Sequence, residues 1–267
     1  MQPTNNNKSL YARYYPLNKI GVMEIRQMYA VFQRYYQNTD VETFIKDLSR
    51  KSGVILVRTK KEKRLVGFST LVSIDVNEPG LKGKGIFSGD TIIEKEYWGS
   101  RALQLCFFRY VLAQKLMSPH RPVFWFLISK GYKTFLLMAN NFKHYYPNPE
   151  GRDSHLQGVV QTYCEQLFPG HYDQAREILD FGENAQCLRG DVAAISEELR
   201  LTHEKIRFFE IRNPTWTKGT ELPCVGIIDY ASAFGFVSKA VRSLFGGKTK
   251  AAKATGGVRA LPGRSAA

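Results

Sequence analysis

Residues 91–103 read TIIEKEYWGSRAL, and residues 124–147 read FWFLISKGYKTFLLMANNFKHYYP. Each stretch takes the chain from an apolar, β-forming run through a short glycine-containing turn into a helical pattern. The first predicts a strand over 86–94, a turn at Gly99 and a helix over 102–116. The second predicts a buried central strand over 123–128 and an apolar helix from 132 to 139. Strands that alternate with helices in this way favour an α/β fold.

The segment before these two units supplies further strands and helices. Aromatic and β-branched runs favour strands, and apolar residues repeated every three to four positions favour helices with one buried face. The patterns predict, in order, a strand at 9–15, helices at 22–36 and 39–48, a hairpin of 53–59 with 65–76, and a Gly-rich basic loop at 79–85.

The character of the chain changes after Pro147. Residues 148–205 open with a polar linker and then predict a helical accessory segment that is interrupted at Pro169-Gly170. The run IRFFEI at 206–211 predicts a strand, and a loop is expected over 214–223. Residues 206–229 are therefore expected to return to the core as a strand and a loop.

The last part of the chain combines an apolar stripe with positive charge. Residues 230–245 carry apolar side chains at helical spacing and predict an amphipathic helix, whereas 246–267 is rich in Lys, Ala and Gly and predicts disorder. Of the 38 basic residues, seven lie after Asp229, where there is no acidic residue. Such a tail favours an anionic membrane surface or nucleic acid as a partner, and a solvated tail that only aids solubility is the alternative.

Several classes of protein are excluded by composition. The chain has 267 residues, 43% of them hydrophobic, which suffices for a substantial core. It contains no apolar run of about 18 residues, so no membrane span is predicted. Residues 1–8 are polar and predict a flexible N-terminus rather than a signal peptide, which favours the cytoplasm. The four cysteines and five histidines show no ligand spacing, so no metal site is expected.

With this order of elements, the chain resembles the core of the GNAT superfamily of acyltransferases over residues 9–147, completed by a strand near 207–212. The passage KEYWGSRAL is similar to the family's Glu-Tyr-Arg-Gly…Ala-Leu segment, and residues 124–147 are similar to its fifth strand, the next helix and the exit segment. The resemblance implies an α/β fold with a mixed sheet, consisting of a GNAT-like core with a helical insertion and a C-terminal helix. It also implies that strands 86–94 and 123–128 are parallel neighbours that splay apart.

In the GNAT family, a turn after the fourth strand holds the pyrophosphate of coenzyme A with its backbone N–H groups. A helix N-terminus suits this role because it presents unpaired donors and the positive end of a dipole. By resemblance, the donor-binding residues here are Lys95, Trp98, Gly99, Ser100, Arg101 and Ala102. For Lys95 and Arg101, ordinary surface solvation is the alternative.

The loop also departs from the family pattern. It has Glu96 where the family has Gln or Arg, and Arg101 where the family has a small residue. This departure implies a donor other than acetyl-coenzyme A, namely another acyl-coenzyme A or an acyl carrier protein that presents its phosphopantetheine thioester. The N-acyl amino acid synthases and N-acyl homoserine lactone synthases are similar in this respect. No permanently bound cofactor is expected.

Acyl transfer to an amine needs a base, and strand 86–94 offers two carboxylates. Strict alternation places Asp90 and Glu94 on one side of the strand together with Ser88. A carboxylate beside Ile92 and Ile93 is expected to have a raised pKa through loss of solvation, which suits a base near neutral pH. The alternative is that both carboxylates are solvated or form salt bridges.

Tyr145 and Tyr146 occupy the place where the family often has a tyrosine that protonates the departing thiolate. Ordinary aromatic packing beside Pro147 is the alternative. The resulting hypothesis is an N-acyltransferase that moves a fatty or other acyl group to a small-molecule amine. The competing hypothesis is a non-catalytic GNAT-like scaffold that binds nucleic acid or an anionic membrane surface. A deep cleft between strands 86–94 and 123–128 favours the enzyme, and a filled one favours the scaffold.

Overall fold

The computed structural model describes residues 9–36, 39–78, 81–182 and 194–228. The α-helices of these ranges are Val22–Phe32 (α1), Val41–Ser49 (α2), Ala102–Met117 (α3), Tyr132–Ala139 (α4), Gln157–Leu167 (α5), Glu197–Thr202 (α6) and Glu204–Arg212 (α7). The strands are Leu10–Pro16 (β1), Gly53–Thr59 (β2), Leu65–Glu78 (β3), Leu81–Ile93 (β4), Val123–Ser129 (β5), Tyr145–Tyr146 (β6), Tyr172–Asp173 (β7), Ile178–Leu179 (β8) and Leu222–Ile228 (β9).

Seven of the strands form one mixed sheet in the order β1-β2-β3-β4-β5-β9-β6. Neighbouring strands run antiparallel except β4 and β5, which are parallel. The strands β7 and β8 form a separate short hairpin. The predicted α/β class with a mixed sheet is confirmed, as is the parallel pairing of the strands predicted at 86–94 and 123–128.

Helices cover both faces of the sheet. On one face, α3, α4 and α7 pack against β2, β4 and β5 in a single apolar cluster. On the other face, α1 and α2 pack over β2 and β3, and α5 packs over β5 and β9. Within the described ranges, no helix is both long and apolar enough to cross a lipid bilayer.

The described residues of the segment 148–205, namely 148–182 and 194–205, are only partly helical, whereas the prediction was a helical segment. It contains α5 and α6, but residues 172–179 form the β7–β8 hairpin, which pairs only two residues from each strand. Helix α5 is part of the core, because Tyr163 is fully buried and its hydroxyl donates to the carbonyl oxygens of Leu127 and Cys224 at 3.2 and 3.4 Å.

The prediction of a strand at 206–211 is wrong, because these residues belong to helix α7. Ile206 and Phe209 are buried three positions apart on one helical face, and a run this short has no decisive period. The returning strand is β9, which begins inside the segment predicted as a loop over 214–223. Pro223 lies where β9 pairs with β5 alone, and a proline is tolerated where one edge of a strand is unpaired.

The Gly-rich loop predicted at 79–85 is also wrong for residues 81–85, which are the first part of β4. A Cβ atom at Gly85 would collide with the Phe126 ring, so glycine allows the β5 aromatic side chain to lie across β4. The amphipathic helix predicted at 230–245, the tail at 246–267 and the N-terminus at 1–8 lie outside the described residues.

Candidate active site

The parallel strands β4 and β5 diverge. They pair from Lys84 opposite Val123 to Phe87 opposite Phe126, and beyond that point β4 continues along β3 while β5 continues along β9. A cavity of about 800 Å³ opens where they separate. Side chains from both faces of the sheet line it, so the cavity passes between the two strands. Its volume lies in the range of small-molecule sites.

The walls of the cavity are largely aromatic and aliphatic. This surface can exclude water from a reacting group and hold an apolar chain. Its apolar side chains are Phe32, Tyr36, Phe44, Phe87, Leu103, Phe107, Phe108, Trp125, Leu127, Ile128, Leu137, Phe168 and Phe181.

A β-bulge in β4 shapes the cavity rim. Gly89 and Asp90 together stand opposite the single residue Thr70 of β3, because Leu71 pairs with Ser88 and Ser69 pairs with Thr91. The extra residue reverses the alternation of side chains. As a result, Ile86 packs in the α3 cluster and Ile92 packs in the α1–α2 cluster on the other face.

The bulge corrects one expectation about the site. Ser88 lies on the α3 face, where its Oγ accepts a hydrogen bond of 2.9 Å from Trp125 Nε1. Asp90 lies on the opposite face, towards α1 and α2. The prediction that Ser88 shares a side with Asp90 and Glu94 is therefore wrong, because strict alternation does not hold across a bulge.

Asp90 lines the cavity, as a base requires. Burial raises the pKa of Asp90, an effect that Lys51 and Lys130 oppose and that the negative charge of Asp47 reinforces. Lys51 forms an ion pair of 2.8 Å with Asp47 one turn earlier on α2. The direction of this shift in the pKa of Asp90 agrees with the expectation from the sequence.

A second carboxylate, Glu221, lines the same cavity and was missed from the sequence. It is only 2% exposed, and its Oε1 lies 3.2 Å from Lys130 Nζ. Burial raises the pKa of Glu221; Lys130 opposes this rise, and the charge of Asp90 adds to it. Asp90 and Glu221 therefore form one electrostatically coupled pair.

Tyr36 completes this charged end of the cavity. Burial raises the pKa of its hydroxyl, and the charges of Asp90 and Glu221 raise it further. Lys130 Nζ lies 5.3 Å from the centre of the Tyr36 ring, which is a cation–π geometry. A neutral phenol and an ammonium group thus stand beside the two carboxylates.

The N-terminal turn of α3 opens on the same cavity, through Leu103 and Gln104. Gly99 has a φ of +87°, which glycine adopts without strain, and it leads the chain into the helix. The first turn of α3 contains no acidic residue, and the N-cap residue Arg101 makes no side-chain capping hydrogen bond. Ser100 Oγ accepts from the Ala102 N–H at 3.3 Å.

Basic side chains gather around the neighbouring Trp98. The Nζ atoms of Lys95 and Lys133 lie 6.0 and 5.5 Å from its ring centre. Trp98 Nε1 donates to the Ile93 carbonyl at 2.8 Å, which fixes the ring at the end of β4. The predicted donor-binding residues therefore lie together before and at the start of α3. They directly precede the cavity residues Leu103 and Gln104 in the chain but are not themselves among the residues that line the cavity.

Glu94 is placed differently from Asp90. It is 4% exposed and pairs with Arg34 at 2.8 Å and with Arg64 at 2.7 Å, and it is not among the residues that line the cavity. Glu94 therefore fits the alternative in which the carboxylate forms salt bridges. The carboxylate holds α1 and the β2–β3 turn to the end of β4.

Glu94→Gln is expected to lower the free energy of unfolding by about 1–2 kcal/mol, because two arginines lose a buried anionic acceptor. Turnover should be unchanged. Urea unfolding and a steady-state assay measure the two effects, with Glu210→Gln, in an exposed pair with Arg200, as the matched control. A large loss of turnover in a folded Glu94→Gln protein would instead make Glu94 the base.

Tyr145 and Tyr146 do not line the cavity. They pair with Gly226 and Val225 at the sheet edge. Tyr145 is buried in the core, and the Tyr146 hydroxyl donates to Glu177 at 2.8 Å. Burial raises the pKa of each to about 12. Their positions fit the packing alternative, so neither has a part in the mechanism proposed below.

Among the described residues, no cluster of three or more His, Cys, Asp or Glu side chains is arranged to hold a metal ion. The cavity residues missed from the sequence include Tyr36, Lys51, Gln104, Lys130 and Glu221. One signal for Lys130 was present: it lies two residues after the apolar run 123–128, and the carboxyl end of a central strand is a common place for a functional side chain.

This chain is similar to known proteins in its chain trace alone. No family model matches the chain, and no curated protein matches it. Solved structures with a similar chain trace include a probable N-acyltransferase from Enterococcus faecalis V583 (17% identity, 48% of this chain and 31% of that one, TM-score 0.36). They also include the Escherichia coli GNAT family N-acetyltransferase YhbS in complex with CoA (11% identity, 54% and 79%, TM-score 0.35).

Another similar structure is the Saccharomyces cerevisiae N-myristoyltransferase with bound myristoyl-CoA (9% identity, 45% of this chain and 31% of that one, TM-score 0.32). This chain thus spans about a third of the length of the enterococcal and yeast proteins. Scores and identities this low assign neither a family nor an activity. Function is therefore inferred from this chain's own residues.

Proposed function

We propose that the protein is an N-acyltransferase that moves an acyl group from a thioester donor to an amine. The observation that carries this proposal is the cavity at the divergence of β4 and β5. That one space is bordered by the edge of β4 that β5 leaves unpaired, by the N-terminal turn of α3 and by two carboxylates with raised pKa values. These are the groups that acyl transfer to an amine requires.

The donor's phosphate groups bind at the start of α3 in this proposal. The backbone N–H groups of that turn and the positive end of the helix dipole favour an anion, and Lys95, Arg101 and Lys133 add positive charge nearby. Coenzyme A and the phosphopantetheine of an acyl carrier protein share this phosphate chemistry. Either can therefore supply the thioester.

The acyl chain of the donor lies against the apolar wall. A cavity of about 800 Å³ lined by aromatic and aliphatic side chains exceeds what an acetyl group needs. This supports a donor with a longer acyl chain, in line with the departure of residues 96–101 from the family pattern. Branched or aromatic acyl groups fit the same description.

Catalysis proceeds by direct attack. The main chain of β4 beyond Phe87 polarises the thioester carbonyl, as in the family that the sequence resembles. The amine nitrogen attacks the carbonyl carbon while Asp90 accepts the proton that this nitrogen loses. The tetrahedral intermediate then expels the thiolate, which takes up a proton to leave as the free thiol. The acyl group ends in an amide bond.

Amine-dependent release of free thiol tests the function. The full chain is incubated with acetyl, medium-chain and long-chain acyl thioesters of coenzyme A and of an acyl carrier protein, with mixed primary amines. Mass spectrometry identifies the amide. We expect thiol and amide in equal amounts, with a longer-chain donor preferred over acetyl-coenzyme A. If no donor yields an amide, the proposed function is wrong.

The non-catalytic scaffold receives no support from the described residues. A scaffold without catalytic activity was expected to have a filled gap between β4 and β5, whereas the structure has an open cavity there. Reversible binding of the tail to an anionic membrane remains compatible with an enzyme, because the basic residues of the tail are different residues from those that line the cavity.

Full-length protein is expected to co-sediment with anionic vesicles at low salt and to lose most of this binding when residues 246–267 are removed. Each basic residue near an anionic surface contributes about 1 kcal/mol of attraction. Neutral vesicles are the control, and added salt should release the protein. Equal binding of full-length and truncated protein would exclude the tail from any membrane role.

A further inference from the structure

Glu221 is the most deeply buried charged group in the cavity wall. It immediately precedes β9, next to the carboxyl end of β5, and is 2% exposed. Its Oε1 is paired with Lys130, but its Oε2 is buried without a hydrogen-bond partner in the part of the chain that the structure describes. An ionised carboxylate oxygen left in that condition costs free energy, so it is a strong acceptor for any donor that enters the cavity.

The surrounding charges favour a cation. The ionisable side chains that act directly on Glu221 are Asp90 and Lys130, so that the three together carry a formal charge of −1 when all are ionised. The charge of Asp90 adds to the rise that burial causes in the pKa of Glu221, so the two carboxylates repel each other when both are ionised. One positive charge placed between them would neutralise the group and remove that repulsion.

The backbone of Glu221 is held firmly. Its N–H and C=O exchange two hydrogen bonds of 2.9 Å with Leu179 of β8. The preceding residue, Thr220, is held by Asn213, whose Nδ2 donates to the Thr220 carbonyl at 2.9 Å and whose Oδ1 accepts from the Thr220 hydroxyl at 2.5 Å. The segment between β6 and β9 therefore fixes this carboxylate in place, and a preorganised acceptor binds with little further ordering.

We propose that Glu221 binds the ammonium group of the acyl acceptor, so that the acceptor is a primary amine that enters the cavity as a cation. Tyr36, Phe32 and Phe44 line the same side and offer an apolar surface for the amine's carbon chain. Glu221 thereby selects the acceptor. The bound ammonium first gives one proton to Asp90, which passes it to solvent, and the neutral amine then attacks; the second proton that the nitrogen loses passes through Asp90 to the departing thiolate. This inference rests on the proposed acyl transfer, because only that reaction makes the bound amine an acyl acceptor. Binding of the amine itself does not depend on turnover.

Titration calorimetry of the full chain with n-hexylamine, n-hexanol and hexanoate, without any donor, tests the proposal. These probes share one carbon chain and differ in charge. We expect the amine to bind wild-type protein most tightly, and Glu221→Gln to weaken amine binding by at least about tenfold while hexanol binding stays the same. Glu210→Gln, which removes a partly exposed carboxylate on α7 outside the cavity, should bind the amine like wild type.

A second variant keeps the test decisive if Glu221→Gln does not fold. Glu221→Asp retains the charge and should retain most of the amine affinity. The proposal is overturned if wild-type protein binds hexylamine no more tightly than hexanol, or if folded Glu221→Gln binds the amine as wild type does. Failure of acyl transfer has a separate signature: amine binding persists and depends on Glu221, while no donor releases thiol.

Discussion

Asp90→Asn is expected to lower kcat about a hundredfold, with little change in donor affinity. The asparagine side chain is nearly the same size as aspartate but cannot accept the proton that the attacking amine loses. Donor binding is spared because the groups proposed to hold it lie at the start of α3 and not at the β4 bulge. Steady-state kinetics with a saturating donor measure the first effect, and calorimetry with the donor alone measures the second.

The pH dependence of the wild-type enzyme gives an independent check. Asp90 acts as a base only when ionised, and burial raises its pKa. Activity should therefore fall as the pH drops through that raised pKa, at a pH above the usual range of a carboxyl group. Because Asp90 and Glu221 are coupled, the inflection belongs to the pair. Asp173→Asn, at a partly exposed carboxylate outside the cavity, is the control. Wild-type rates at every pH in Asp90→Asn would exclude Asp90 as the base.

Measurements of thermal stability show whether Asp90→Asn loses activity because the base is missing or because the protein is unfolded. A carboxyl group whose pKa is higher in the folded protein than in the unfolded chain favours folding in its protonated form, so its stabilising contribution is lost as the pH rises through the folded-state pKa. Asp90→Asn stays neutral at every pH. Its Tm relative to wild type should therefore increase as the pH rises through the raised pKa of Asp90, even though its turnover is low.

Phe126→Ala is expected to lower the free energy of unfolding by about 3–5 kcal/mol, the usual cost of removing a fully buried aromatic ring. The Phe126 ring is fully buried, with its centre 4.3 Å from that of Tyr163 on α5 and 6.2 Å from that of Phe124. Its loss would leave a hole between the central strand and α5. Urea unfolding followed by circular dichroism measures the change.

Phe208→Ala is the comparison for this substitution, because Phe208 is only partly buried on α7 and should cost less. The large effect at Phe126 follows from α5 being part of the core. If Phe126→Ala costs no more than Phe208→Ala, then α5 is not packed on the sheet as described.

The central strands could be predicted from the sequence because their signals are local and redundant. The run 123–128 is apolar throughout, as a strand buried on both faces must be, and a turn with Gly99 leads into a long helix. The parallel pairing came from the resemblance. Together these placed Asp90 and the start of α3 at the correct part of the fold.

The bulge at Gly89 and Asp90 could not be predicted, because it depends on the pairing partner. One extra residue in β4 reverses which face each later side chain occupies; Gly89 in the run FSGDTII is a weak local signal of a bulge, but it does not determine the pairing. Glu94 lies four residues beyond Asp90 and outside the cavity, where its partners are Arg34 and Arg64.

Glu221 was missed for a different reason. Its position depends on contacts with Leu179 and Lys130, both distant in sequence, and β9 was hidden by Pro223 and by the more β-like run IRFFEI. Whether a carboxylate is buried depends on the folded chain, and no local sequence pattern indicates it. Tyr36 and Lys51 join the site in the same way, from the segments that follow α1 and α2 near the other end of the chain.

Photo-crosslinking tests most directly that acyl transfer takes place in the gap between β4 and β5. A fatty acyl thioester with a diazirine in its chain is offered as the coenzyme A and as the carrier-protein conjugate, and the labelled residues are mapped by mass spectrometry. We predict labels within 87–91, 103–108 and 125–137, which an excess of unmodified donor removes. Competable labelling confined to other parts of the chain would contradict the account.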